Sequence, residues 1–257
     1  MSFQDNPGQQ ISFEDRYLAL PAQVQKIVDR SWARDFAEIV FPCIDEKRFS
    51  VLYDQGKGTS NSPINVTVGG LMLKDQFGFS DADLVEAMYC DIRFQYALHT
   101  TSYKEQPVSE RTFQRFRERI YDYELQTGRQ LFTEEMESLA EPYARFLNLH
   151  PNLKKVNSSL IAESARAMSR LETLYKSNAD AVKLLESKNI PIPKSLVHYL
   201  ESGDSGKITD VRDSEAATRC RQEERAALRL LKLLKKKKMD ESFSYQLLSQ
   251  LTADLTE

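Results

Sequence analysis

Pro107-Val-Ser-Glu-Arg-Thr-Phe-Gln-Arg-Phe-Arg-Glu-Arg-Ile120 is the stretch from which the rest of this chain is read. It has the pattern of a capped helix with one apolar side and one arginine side. Ser109 stands where an N-cap belongs, behind a proline that closes the preceding loop. On a 3.6-residue period Phe113, Phe116, Ile120 and Tyr123 fall on one face. Arg111, Arg115 and Arg119, at i, i+4 and i+8, share another. Between Ser109 and Ile120 four arginines stand against two glutamates, a local positive excess. Ser, Arg and Thr in a first turn with an outer guanidinium stripe suit phosphates and base edges. The alternative is a surface helix with a solvated basic face.

Working outward, helix punctuation continues in both directions. Upstream, Val24, Ile27, Val28, Trp32 and Phe36 trace one face of a helix expected over Val24–Ile39 and stopped by Pro42. Asn65–Phe77 reads as a buried helix despite Gly69-Gly70, each of which costs about 1 kcal/mol against alanine, so close helix packing is expected there. Gly78 then suits a left-handed helix end, and Ser80 with Asp83 forms a capping-box pattern for the next helix, whose inner face holds Leu84, Ala87 and Met88. A short helix through Phe94 and Leu98 and a polar loop, His99–Gln106, lead to the arginine helix, which runs on to Gly128.

Downstream, helices are expected over Leu131–Leu147 with a bend at Pro142, over Met168–Leu185, Pro193–Leu200, Ser214–Lys238 and Ser242–Leu255. Only Lys155–Ile161 has a strand flavour. With 9 Gly and 9 Pro in 257 residues, composition agrees with helix over sheet. The fold class is therefore mostly α: a helical bundle with a helix-turn-helix-like domain, then a helical C-terminal part with at most a short strand. Three segments are expected: 1–60 as a loose arm and helix, 61–150 as a helical DNA-binding domain, and 151–257 as a further helical part.

The formal net charge of −3 gives no global field toward nucleic acid, so any such binding comes from local patches. Cys43, Cys90 and Cys220 are scattered and odd in number, which fits a reducing compartment and makes the cytoplasm the expected location. No apolar run approaches the ~20 residues that span a bilayer. His99, His150 and His198 have no ligand partner at metal-binding spacing, and there is no glycine-rich phosphate loop. No metal site and no small-molecule cofactor are expected. The run Leu230–Met239, with Lys235 and Lys236 in it, ends an amphipathic helix. Those lysines suit the helix dipole, or else add a second contact to a DNA backbone.

Residues Asn61–Ile120 resemble the N-terminal domain of bacterial insertion-sequence transposases, of the IS1182-like group in the wider IS4/IS5 set. The resemblance is carried in order by Val66–Gln76, by Phe77-Gly-Phe-Ser-Asp-Ala-Asp-Leu84, by Asp91-Ile-Arg-Phe-Gln-Tyr-Ala-Leu98 and by Pro107–Arg117. It extends to Val156–Ala162, Met168–Tyr175 and Tyr245–Leu251, similar to the opening of that family's catalytic region and its linker helix. The family cuts and joins DNA with three carboxylates holding two divalent ions, which require hard anionic oxygen ligands. The resemblance implies an Asp where this chain has Asn157, a neutral and weaker ligand. The strands that would bring the other two carboxylates do not appear by Glu257. Asp204, Asp210, Asp213, Glu223, Glu224 and Asp240 fall on expected turns and helices, as solvated side chains. Magnesium is expected only for a complete catalytic domain.

The expected function is a DNA-binding, transposase-derived protein that is catalytically incomplete, associated with the bacterial nucleoid and working as a homodimer on double-stranded DNA. Ser109, Arg111, Thr112 and Arg115 face the groove; Arg119 and Lys104 hold the backbone; Lys235 and Lys236 are the second backbone candidates. Two alternatives stand beside it. One is a truncated or mutated portion of an active transposase. The other is a helical module that inhibits the full-length enzyme, suggested by the leucine-rich side of Ser214–Lys238.

Overall fold

A computed structural model describes residues 1–6, 15–54, 60–153, 159, 161–162, 170–200 and 213–253. Among them there is no strand, only isolated bridges from Ser2 to Asp54 and Ser60. The chain divides into two compact units, Met1–Ala167 and Met168–Glu257.

The first unit is built around α3 (Ile64–Phe77), whose residues Ile64 to Leu73 are buried on every side. Its N-cap, Pro63, has no side chain to offer, and Glu46 does the work from a distance. The Glu46 carboxylate accepts the N–H groups of Ile64 (3.1 Å) and Asn65 (3.3 Å), satisfying donors that the first helical turn leaves open. At the other end Gly78 takes φ +68°, and the Phe79 N–H returns to the Lys74 carbonyl at 2.9 Å. Ser80 and Asp83 then close a capping box on α4 (Asp81–Cys90). A short α5 (Ile92–Ala97) leads through a loop to α6 (Glu110–Thr127), which ends at Gly128 with φ +71°. α7 (Leu131–Ser138) and α8 (Ala140–Leu149) complete the unit.

Two expected helices are broken. Val24–Ile39 is α1 (Ala22–Asp29) and α2 (Trp32–Asp35), separated because Ser31 recaps the chain by accepting the Ala33 N–H. Ile27 consequently leaves the apolar face and is 61% exposed. Phe36–Val40 continues as a π-turn, the Phe41 N–H bonding the Phe36 carbonyl. The Ala37 carbonyl then faces Pro42, which has no N–H to give. The ring of His99 donates to it instead, stacked 4.6 Å from the Phe41 ring and carried on a backbone with φ +54°. The break in Leu131–Leu147 falls at Leu139, not at Pro142. Pro142 is tolerated in the first turn of α8, and its ring excludes the Ser138 carbonyl from a continuous helix.

Of the first fifteen residues, 1–6 and 15 are described, and these are tied to the body of the unit. Asn6 donates its N–H to Glu46 and its amide to Asn65, while Asp15 is buried and accepts the hydroxyls of Thr101 (2.6 Å) and Ser102 (3.1 Å). Trp32, Phe36, Phe49, α3, Phe113, Phe116, Phe132 and Phe146 share one core, so the elements before residue 61 are part of the same packed body as those after it.

The second unit packs α9 (Arg170–Ser187), a 3-10 turn over Lys194–Leu200, α10 (Asp213–Lys236) and α11 (Phe243–Leu251). Ala227, Leu230 and Leu234 are fully buried with Val182, Leu185 and Leu248, so this side of the leucine-rich helix is taken up by its own unit. Glu223 is not a solvated carboxylate: it accepts the Tyr199 hydroxyl and the Asn178 amide. Glu224 pairs with Arg170 at 3.2 Å. The expected strand at Lys155–Ile161 lies mostly outside the described residues; Ser159, Ile161 and Ala162 are helical.

Candidate nucleic-acid interface

The arginine helix forms as its pattern demands, with Phe113, Phe116 and Ile120 inside the core. Ser109 caps it: its N–H donates to Thr112 Oγ1 (3.1 Å), and the two hydroxyls lie 3.1 Å apart. Arg111 and Arg115 are exposed, one turn apart on the same face. Arg115 has no ion-pair or hydrogen-bond partner among the described residues.

Arg119 is half-buried, its guanidinium 4.5 Å above the Tyr53 ring and Nη2 3.3 Å from Met1 Sδ. Burial pushes the Tyr53 phenol above its ordinary range, with Arg119 pulling the other way. Lys104 is exposed in the loop before α6, and its carbonyl accepts from Arg16 Nη2 at 2.8 Å, which ties that loop to the Asp15–Arg16 segment. Lys235 and Lys236 are exposed on the last turn of α10, in the second unit.

Arg117, counted in the sequence with the other arginines, has a different position. It is 4% exposed and grips Asp81 with Nη2–Oδ2 at 2.6 Å and Nη1–Oδ1 at 3.2 Å. Lys74 Nζ adds a third contact to the same carboxylate at 2.6 Å. Burial works against ionisation of Asp81, but Arg117 and Lys74 outweigh it and hold the carboxyl below the usual carboxylate range. The outer charge of α6 is therefore carried by Arg111, Arg115 and Arg119. Tyr53 and Ser62, which line one cavity with Arg115 and Arg119, lie some 53 to 66 residues upstream of them and carry no local signal of that meeting.

Residues 25–119 match the family model of the transposase domain (DUF772). That span begins in α1 and ends at Arg119, so the transposase-type segment takes in the central helix, the Asp81 lock and the whole arginine face. No curated protein and no solved structure matches the chain.

Asn157, which the resemblance sets at the place of a carboxylate, lies outside the described residues, as do Asp204 and Asp210. Among the described residues no group of three or more His, Cys, Asp or Glu is placed to hold a metal ion. His150 instead meets Asp35 (2.7 Å), and His198 lies against the Tyr199 ring. No described helix is long and apolar enough to cross a membrane.

Proposed function

We propose that this chain is a DNA-binding protein derived from a transposase, with α6 as its recognition helix. The observation that carries the reading is the pair Arg111 and Arg115, exposed one turn apart in the transposase-type segment. They extend from a helix whose opposite side is fixed in the core by Phe113, Phe116 and Arg117. Exposed guanidiniums on a rigid helix suit the major groove, where arginine reads guanine in bidentate fashion. Ser109 and Thr112 retain hydroxyl valence for a phosphate or base beside the cap, and Lys104 and Arg119 supply backbone contacts. Placement in the IS1182-like group, a helix-turn-helix geometry, a homodimer and a nucleoid location belong to the same proposal.

The experiment is selection of bound sequences from a random duplex pool, followed by anisotropy titration of the recovered site. Arg111→Ala and Arg115→Ala are each expected to weaken binding by ~1–3 kcal/mol, with Arg111→Ala also relaxing preference at one base pair. Unchanged affinity in the double variant removes the assignment.

A second reading is favoured by the transposase-domain match: the chain is part of an active cleaving enzyme. Asn157 argues against unaided cleavage, because a neutral amide oxygen is a poor ligand for a hard divalent ion. Cleavage of the selected duplex by the natural chain with Mg²⁺ or Mn²⁺ would establish that reading. Absence of cleavage by both the natural chain and Asn157→Asp supports the catalytically incomplete reading, and activity in Asn157→Asp would overturn it, because the remaining carboxylates would then have to be present.

A further inference from the structure

Between α6 and the chain around Tyr53 and Ser62 lies a small cavity of about 60 Å³, with Thr112, Arg115 and Arg119 on its helical side and the buried ring of Phe116 behind. Pockets for drug-sized molecules run to several hundred Å³. This one has room for a few waters or one tetrahedral oxyanion. Its lining brings together two arginines, three hydroxyl-bearing side chains and Met1, whose sulfur lies 3.3 Å from Arg119 Nη2, with no carboxylate among the lining residues. That donor set matches a phosphate group: arginine offers planar paired donors, and hydroxyls reach the remaining oxygens.

Preorganisation supports the same conclusion. Arg119 is held over the Tyr53 ring before any ligand arrives. Arg115 has no partner among the described residues and sits one turn along from Arg111 on the outer face.

We infer that this cavity is the seat for a single phosphate group, and that in a complex it takes one backbone phosphate of duplex DNA. The second clause rests on the DNA-binding reading above. Phosphate contacts fix register and orientation without reading sequence. A seat one turn from Arg111 would therefore set which base pair that arginine meets.

The test uses the full chain and two probes. The first is the selected duplex carrying single methylphosphonate substitutions, each removing the charge of one phosphate. The natural chain is expected to lose roughly tenfold in affinity at one position. Arg115→Gln is expected to bind more weakly overall and to lose nothing further at that position. Equal sensitivity of the two proteins at every position overturns the proposal. The second probe is inorganic phosphate, followed by amide and side-chain NMR shifts. Shifts confined to Tyr53, Ser62, Thr112, Arg115 and Arg119, and absent in Arg115→Gln, support the seat even if no duplex is bound, in which case only the DNA-binding reading falls. A chain that shows neither these shifts nor a coupled phosphate position has no seat there.

Discussion

Arg115 and Arg117 stand two positions apart on α6 and do opposite things. Arg117→Ala strips the main partner from a largely buried carboxylate, and is expected to cost about 3 kcal/mol in chemical denaturation, the low end of the usual range because Lys74 still touches Asp81. Arg115→Ala is expected to change stability by under about 0.5 kcal/mol, as exposed substitutions do. His99 carries a different signature. Burial above all, against the pull of the Ala37 carbonyl, lowers its pKa below the ordinary 6.5, so the folded chain favours the neutral ring. The unfolded chain takes up the proton first on acidification, so the His99 contribution is complete above about pH 6.5 and shrinks as pH falls toward the folded value. Burial raises Glu46 and Glu135 and works in the opposite sense, since their protonated forms favour the folded state at low pH. The clean readout is a difference: from about pH 7.5 to about 5.5 the natural chain should lose more stability than His99→Gln. Parallel curves would show that the ring does not titrate differently on folding.

The helices that the sequence made legible are those with chemical punctuation. Gly78, Ser80–Asp83, Ser109 and Gly128 each end or start a helix by a local bond, and each lies where its residue type predicts. Breaks set by nonlocal bonding were not legible. The π-turn at Phe36–Val40 is tolerated because His99, sixty residues away, takes the carbonyl that Pro42 cannot. Likewise α3 is capped by Glu46, not by a neighbour. The Gly69-Gly70 pair marks a close approach, as its sequence suggests, and the contacts give its sign. A Cβ on Gly70 would lie 3.1 Å from the Phe113 ring, which is fully buried on α6. Gly70→Ala gains about 1 kcal/mol of helix propensity and meets an overpacking penalty of about 1–3 kcal/mol. A net loss is expected in the denaturant midpoint, and stabilisation would mean that the Phe113 ring has room to yield.

Across the molecule, charge is organised by position and not by total. A net charge of −3 offers no long-range attraction to DNA, so on the proposed reading affinity comes from the few cations on and beside α6. With Lys104, Arg115 and Arg119 on phosphates, log affinity against log salt should fall with a slope of roughly −2.7. Lys235→Gln with Lys236→Gln should leave that slope unchanged if those lysines only complement the end of α10. A slope that flattens by roughly two places them on the duplex. The arginine side of the site could be read from spacing alone. Its other wall could not, because Tyr53 and Ser62 reach it only through the folding of distant segments.

Asp81 fastens the last turn of α3, the first of α4 and the middle of α6 at one point. A face mounted on such a tripod does not change its pitch, and whatever lies against Arg111 and Arg115 must supply the give. For a duplex, that rewards pliant pyrimidine–purine steps within the contacted stretch, so discrimination would be written partly in bendability, at base pairs no side chain reaches.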